Sequence, residues 1–120
     1  MNKYHAEHTW VRIEGDTALV GITQHAQDTL GDIVFVDFAE VGKTFAPGTV
    51  AGGVESVKAA ADVHMPASVE IVEINEALRA DPSLANSDPE SAGWFYKVKL
   101  SNATELEGLL DDAAYQAITG

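Results

Sequence analysis

Few side chains in this 120-residue sequence are spaced for chemistry. His5 and His8 stand in H-x-x-H spacing, with Glu7 the one neighbouring acid that could complete a metal site. Two histidines and one carboxylate are a thin ligand set, and capping or solvent-exposed imidazoles are the simpler reading. His25 and His64 are isolated in the chain. There is no Gly-rich phosphate loop, no G-x-S-x-G and no H-E-x-x-H. Lys58 differs from these. It is one of five lysines and stands between two strand-like runs, followed by Ala59, Ala60 and Ala61. Small neighbours leave its amine open to a large modifying enzyme, and a tight bend would hold its Cα at a protruding point. Turn position alone leaves two readings open, an attachment site or an ordinary solvated lysine.

The elements that must position these residues follow from periodicity. Trp10-Val11-Arg12-Ile13 and 17–22 flank Glu14-Gly15-Asp16, a hairpin signal. Alternation of Val11 and Ile13 with Trp10 and Arg12 predicts a half-buried strand. Thr23 is placed to cap a short helix through Leu30, with Ala26 and Leu30 on one face and Gly31 as its stop. The run 33–38 is apolar on both faces, which predicts a strand between two layers. Residues 41–49 are turn-rich. Two strands are expected at 49–57 and 63–74, around a small-residue bend at 58–62. The second slips its alternation at Ile71-Val72, which suggests a bulge or burial on both faces.

Residues 80–93 read as loop and 94–100 as a last strand. Thr104 with Glu107 suggests a capping box opening a helix through Leu106, Leu109 and Leu110. Asp112 is placed to cap a final turn through Tyr115 and Ile118. The stretches 10–38 and 49–74 read as quasi-equivalent halves of a sandwich. Trp10, Trp94, Phe35 and Phe95, at strand spacing, read as core rather than as a ligand-stacking set. The whole is expected to be one mostly-β domain, 1–120: a closed or nearly closed two-sheet barrel with small helices.

Composition narrows the function. Nineteen Asp and Glu against seven Lys and Arg leave a formal charge of -12, which disfavours nucleic acid and anionic membrane surfaces as partners. With zero Cys, the chain has no thiol nucleophile, so any sulfur chemistry must come from an attached group. The polar start carries no secretion signal and no transit segment. The expected compartment is therefore the bacterial cytoplasm, or the mitochondrial matrix if a presequence has been removed.

Gly53-Val54-Glu55-Ser56-Val57-Lys58-Ala59-Ala60 resembles the lipoyl-attachment motif of the H proteins of the glycine cleavage system. Further blocks resemble that family in order along the chain. They include His8-x-Trp10-Val11, Val20-Gly21-Ile22-Thr23, 30–36, 72–78, Pro82-x-Leu84-x-Asn86 and Gly93-Trp94-Phe95. The resemblance implies a lipoyl-domain-like flattened β-barrel sandwich (a barrel-sandwich hybrid) with short helices, including C-terminal ones. It implies lipoate in amide linkage on Lys58, and a shuttle that catalyses no reaction by itself. The implied partners are the pyridoxal-phosphate-dependent P protein, the T protein that passes the carbon to tetrahydrofolate, the flavin L protein, and a lipoate-attaching enzyme. Glu55, Gly42 and Asp62 match its lipoylation-recognition positions. Ser68, Leu30 and Asp32 are expected to line a groove that shelters the carried group.

Three departures from the family pattern stand out. Val69 replaces a usual Gly, which would strain the site if that position needs positive φ. Thr9 replaces a usual Glu, and His64-Met65 replaces an aromatic–small pair. They leave room for an H-like carrier in a lipoate relay or another lipoyl-dependent pathway. A biotinyl carrier is disfavoured, since Val57 and Ala59 rather than Met flank the lysine. An unmodified β-sandwich interaction module would leave Lys58 a free amine.

Overall fold

The computed structural model describes residues 2–5, 8–90, 92–101 and 103–119, with backbone alone for Asn2, Ala103, Thr104, Leu106 and Asp112. The strands are β1 (Asn2–His5), β2 (Thr9–Glu14), β3 (Thr17–Ile22), β4 (Ile33–Asp37), β5 (Thr44–Phe45), β6 (Val50–Ser56), β7 (Ala60–His64), β8 (Val69–Ile74) and β9 (Tyr96–Leu100). They form two antiparallel sheets, of order β1-β2-β3-β9-β8-β5 and β4-β6-β7. Among the described residues, four short α-helices accompany them: α1 (Gln24–Leu30), α2 (Glu76–Ala80), α3 (Leu84–Ser87) and α4 (Asp112–Thr119), with a 3-10 helix at Ala103–Gly108. The chain is thus mostly strand, one sheet curled against the other. The two expected halves are visible in the topology. Hairpin β2–β3 lies in the large sheet and β4 in the small one; hairpin β6–β7 lies in the small sheet and β8 in the large one.

The main core lies between the sheets and includes Val11, Val20, Ile33, Val36, Val54, Val63, Met65, Ile71, Phe95 and Val98. Burying such side chains supplies the chief driving force for the sandwich. A second cluster, Tyr4, Trp10, Leu19 and Tyr115, seats α4 on the outer face of β1 to β3.

Local signals formed as read. Glu14 pairs with Thr17 across the first turn, where Gly15 takes φ +65°. Thr23 Oγ1 accepts from the Ala26 amide at the start of α1, and Gly31 ends that helix at φ +80°. The bulge in β8 falls between Ile71 and Glu73.

Several expectations are corrected. Strand β2 is not half-buried by alternation: Trp10 and Val11 are both buried, because the C-terminal helix covers the face opposite the core, and Ile13 is exposed. Strand β4 is not between two layers. A bulge falls between Ile33 and Phe35, and Val34 and Phe35 are 56% and 52% exposed, so among the described residues no second layer covers them. Phe35 is therefore not core, and Trp94 is only partly buried beside the second cluster. The run 63–74 holds two strands in different sheets. Met65 to Ser68 carry the chain across, and Pro66 has no N–H to continue a ladder.

Residues 80–93 contain α3, which the sequence reading leaves as loop. The expected helix after Thr104 is a 3-10 turn that stops at Gly108; the side chains of Thr104 and Leu106 lie outside the described residues. The cap of α4 is Asp111 rather than Asp112, its Oδ1 accepting from the Ala114 amide.

The lysine hairpin and its cavity

Strands β6 and β7 pair through Glu55 and Ala60, so Ser56 to Ala59 form the tip. One hydroxyl organises it. Ser56 Oγ donates to the Ala59 carbonyl at 2.9 Å and accepts from the amides of Lys58 at 3.2 Å and Ala59 at 3.0 Å. The Ser56 amide closes the turn onto the Ala59 carbonyl at 2.8 Å. Serine suits this role because its short hydroxyl reaches its own turn's backbone. Val57, Lys58 and Ala59 are all exposed, so the lysine root stands clear of the barrel.

The tip is also held from outside. The Val57 amide donates to the Asp32 carbonyl at 3.0 Å, in the connection between α1 and β4. The Lys58 stem lies over Gly31: a Cβ there would sit 3.2 Å from Lys58 Cε. Below Leu30 opens a cavity of about 310 Å³, whose walls include His8, Thr9, His25, Leu30, Asp62 and His64. Three histidines distant in sequence meet here. His8 and His25 stack with centroids 4.7 Å apart. Thr9 is buried, its hydroxyl donating to the His64 carbonyl at 2.8 Å, so this wall offers a neutral group. His8 adopts φ +69° and its Nδ1 lies 2.6 Å from the Tyr115 hydroxyl, which is also 2.7 Å from Thr23 Oγ1. The C-terminal helix thereby braces one cavity wall. Burial, partly offset by the Thr23 hydrogen bond, raises the pKa of that hydroxyl.

The other expected residues lie as follows. Glu55 and Asp62 border a shallow depression on the outer face of the small sheet, and Asp62 reaches both that depression and the cavity. Asp32 contributes its carbonyl, while its side chain is exposed. Gly42 is in the β4–β5 connection, at φ +92°, its amide donating to the Ile71 carbonyl at 2.7 Å. Ser68 does not line the cavity; its amide and hydroxyl both bond the Glu105 carboxylate, the hydroxyl at 3.0 Å. Val69 is an ordinary fully buried strand residue without positive φ, so the strain expected of it is absent. His5 and His8 are described, but Glu7 lies outside the described residues; among those described, no group of three His, Cys, Asp or Glu could hold a metal ion. Nor, among them, is any helix long and apolar enough to cross a membrane.

Sequence reasoning missed Ser56, Tyr115 and Asn86, whose contacts here span up to 107 residues of chain. A serine two positions before a lysine in a turn is the one local signal that could have found Ser56.

The geometry suits a covalently attached arm. The lysine is exposed on a hydrogen-bonded tip, a glycine clears room beneath its stem, and Leu30, next in the chain to that glycine, lines a partly apolar cavity. Comparison with known proteins agrees. A family model described as Glycine cleavage H-protein matches residues 2–120. A glycine cleavage system H protein from Thermotoga maritima is 54% identical over 116 residues, covering 97% of this chain and 94% of the relative. One from Escherichia coli is 54% identical over 117 residues, covering 97% and 91%. The crystal structure of a glycine cleavage system H protein from Mycobacterium marinum superposes with a TM-score of 0.88 at 40% identity, covering 98% of this chain and 94% of that one. Matched by the family model over residues 2–120, the chain belongs to the glycine cleavage H-protein family, the lipoate-bearing carriers of the glycine cleavage system.

Proposed function

We propose that Lys58 is the residue that bears the lipoyl group, and that the chain shuttles an aminomethyl group from the P protein to the T protein and presents its dithiol to the L protein. The observation that carries this reading is the Lys58 tip: exposed, held by Ser56, with its stem over Gly31, the residue next in the chain to Leu30 of the cavity wall. When bound, the lipoyl group supplies the disulfide chemistry that a chain with zero Cys lacks. The chain's own residues then do three things. Ser56 and Asp32 fix the root of the arm. Leu30 and the histidine-lined walls offer shelter from water. Glu55, Gly42 and Asp62 serve recognition by the lipoate-attaching enzyme. Amide formation consumes a neutral amine, so that enzyme must supply the base for the step.

The chain itself catalyses no step in this scheme. The net charge of -12 steers it toward basic clefts on its partners, and a tethered arm raises the local concentration of the carried group without a large interface. Its place is the bacterial cytoplasm. Intact mass with peptide mapping, on protein from lipoate-supplemented cells, tests the attachment. A lipoyl-sized increment on the Lys58 peptide, absent in Lys58→Arg, is expected. An unmodified Lys58 in a host that lipoylates other H proteins refutes it.

The neutral Thr9 on the cavity wall favours, as a second reading, an H-like carrier serving a different set of lipoyl-dependent enzymes. Glycine-dependent turnover with P and T proteins separates the two: turnover supports the shuttle, and its absence with lipoylated protein supports the second reading.

A further inference from the structure

We propose that Asn86 is a positioning residue for the lysine hairpin, acting through a single peptide group; its consequence for the arm rests on Lys58 being the attachment site. Asn86 lies on α3, a four-residue helix remote from Lys58 in sequence. Its carboxamide makes three hydrogen bonds to the segment under the tip. Nδ2 donates to the Gly31 carbonyl at 2.8 Å and to Gln27 Oε1 at 2.9 Å, and Oδ1 accepts from the Ile33 amide at 2.7 Å.

The Ile33 amide and the Asp32 carbonyl belong to one peptide group. A trans peptide is planar, so its N–H and C=O point in opposite directions. Pinning the N–H on Asn86 therefore aims the C=O the other way, at the Val57 amide 3.0 Å beyond. Val57 immediately precedes Lys58. The relay runs from Asn86 through Ile33 and Asp32 to Val57, and hydrogen bonds in such a chain polarise one another.

The peptide group needs this restraint. Gly31, one residue before Asp32, sits at φ +80° and ψ -154°, a conformation open essentially to glycine, and glycine gives the segment leading into that peptide group freedom to rotate. Among the described residues, the tip makes its other hydrogen bonds within its own turn or along the strand ladder. Release of the Asp32 carbonyl would let the root of Lys58 shift relative to Gly31 and the cavity wall.

The test is amide hydrogen exchange of the whole chain, with no lipoate attached, on Asn86→Ala, Asn86→Asp and Asn75→Ala. Asn75 is the control for stability alone. It is buried and makes three comparable bonds, to the Ala92 and Trp94 carbonyls and from the Ala77 amide, none to the hairpin. In Asn86→Ala the Val57 amide is expected to exchange about tenfold faster, the factor of one ordinary net hydrogen bond. Asn75→Ala should leave Val57 unchanged relative to global opening. Asn86→Asp bears on the proposal even if Asn86→Ala does not fold. At pH 7 the introduced carboxylate faces the Gly31 carbonyl and Gln27 Oε1, so Val57 exchange rises. Below about pH 4 the protonated carboxyl can again donate and accept, and exchange returns toward the wild-type rate at the same pH.

Lipoylation kinetics supply the functional arm. The KM of the attaching enzyme for Asn86→Ala should rise several-fold with kcat little changed, because a misplaced tip is recognised poorly but reacts normally once seated. Equal Val57 exchange in the Asn86 and Asn75 variants would overturn the relay. An unchanged KM would overturn its consequence for the arm. If wild-type Lys58 itself stays unmodified, the attachment reading fails, while the exchange data still decide the relay.

Discussion

The hydroxyl of Tyr96, on the large sheet, donates to the carbonyl of Ala51, on the small sheet, at 2.6 Å. The same oxygen accepts from the Ala39 amide at 2.8 Å. One buried phenol thus stitches the two layers where Gly52 brings them close; a Cβ on Gly52 would lie 2.7 Å from that oxygen. Removing the oxygen alone leaves a carbonyl and an amide without these partners. Tyr96→Phe should therefore lower stability by about 1–3 kcal/mol, read by urea denaturation. A loss below about 0.5 kcal/mol would mean that water or a backbone shift replaces both bonds.

The same burial sets an alkaline limit. Desolvation is the main cause that pushes the Tyr96 pKa up to about 12, while the Ala39 hydrogen bond partly opposes it. The folded state then holds its proton where the unfolded chain, near 10, has lost it. That contribution is whole below about pH 10 and is lost as pH rises through about 12. Stability should fall with pH across this window, and less steeply in Tyr96→Phe. Parallel slopes for the two proteins would remove Tyr96 as the cause.

The two tryptophans should differ. Trp10 is fully buried, with its indole N–H donating to the Pro89 carbonyl at 2.9 Å and its ring against Gly21. Trp10→Ala should cost about 3–5 kcal/mol. Trp94, partly exposed at the edge of the second cluster, should cost clearly less. Chemical denaturation of both variants checks the order, and a reversed order would contradict the packing described.

Gly31→Ala should cost about 1–3 kcal/mol through backbone strain alone. It should also slow lipoylation, because the new methyl would stand 3.2 Å from Lys58 Cε in the present arrangement. Denaturation and the rate of lipoyl transfer measure the two effects separately. A variant as stable as wild type would contradict the strain, and one lipoylated at the wild-type rate would show that the stem moves aside freely.

Tyr115→Phe removes the hydroxyl between His8 and Thr23 and leaves the ring stacked on Tyr4 at 4.7 Å. A loss of about 1–2 kcal/mol is expected. The His8 ring resonances should shift in NMR spectra while those of His64 stay in place. Unmoved His8 signals would show that the C-terminal helix does not brace the cavity.

Local chemistry was readable in the chain. Thr23 and Gly31 bound α1, Gly15 turns the first hairpin, and the slip at Ile71-Val72 is a real bulge. Lys58 stood out by position, and the ordered blocks around it carried the family resemblance. The misreadings share a cause. The burial of β2 on both faces depends on Tyr115, 105 positions after Trp10, and the exposure of β4 depends on there being, among the described residues, no layer over Val34 and Phe35. Periodicity reports which faces could be buried, not what arrives to bury them.

The sequence by itself determined the turns, the caps, the lysine on a bend, the acidic charge and the absence of thiols, because each depends on neighbours within a few residues or on composition. Tertiary structure alone decided that His8, His25 and His64 share one cavity, that Asn86 lies beneath the lysine tip, and that Ser68 faces Glu105 instead of the cavity. Those relationships join residues 17 to 56 positions apart and come into being only when the two sheets close on a common core. Antiparallel strands set their partners through register across the sheet, and nothing in the spacing of a short polar side chain encodes which distant backbone it will meet.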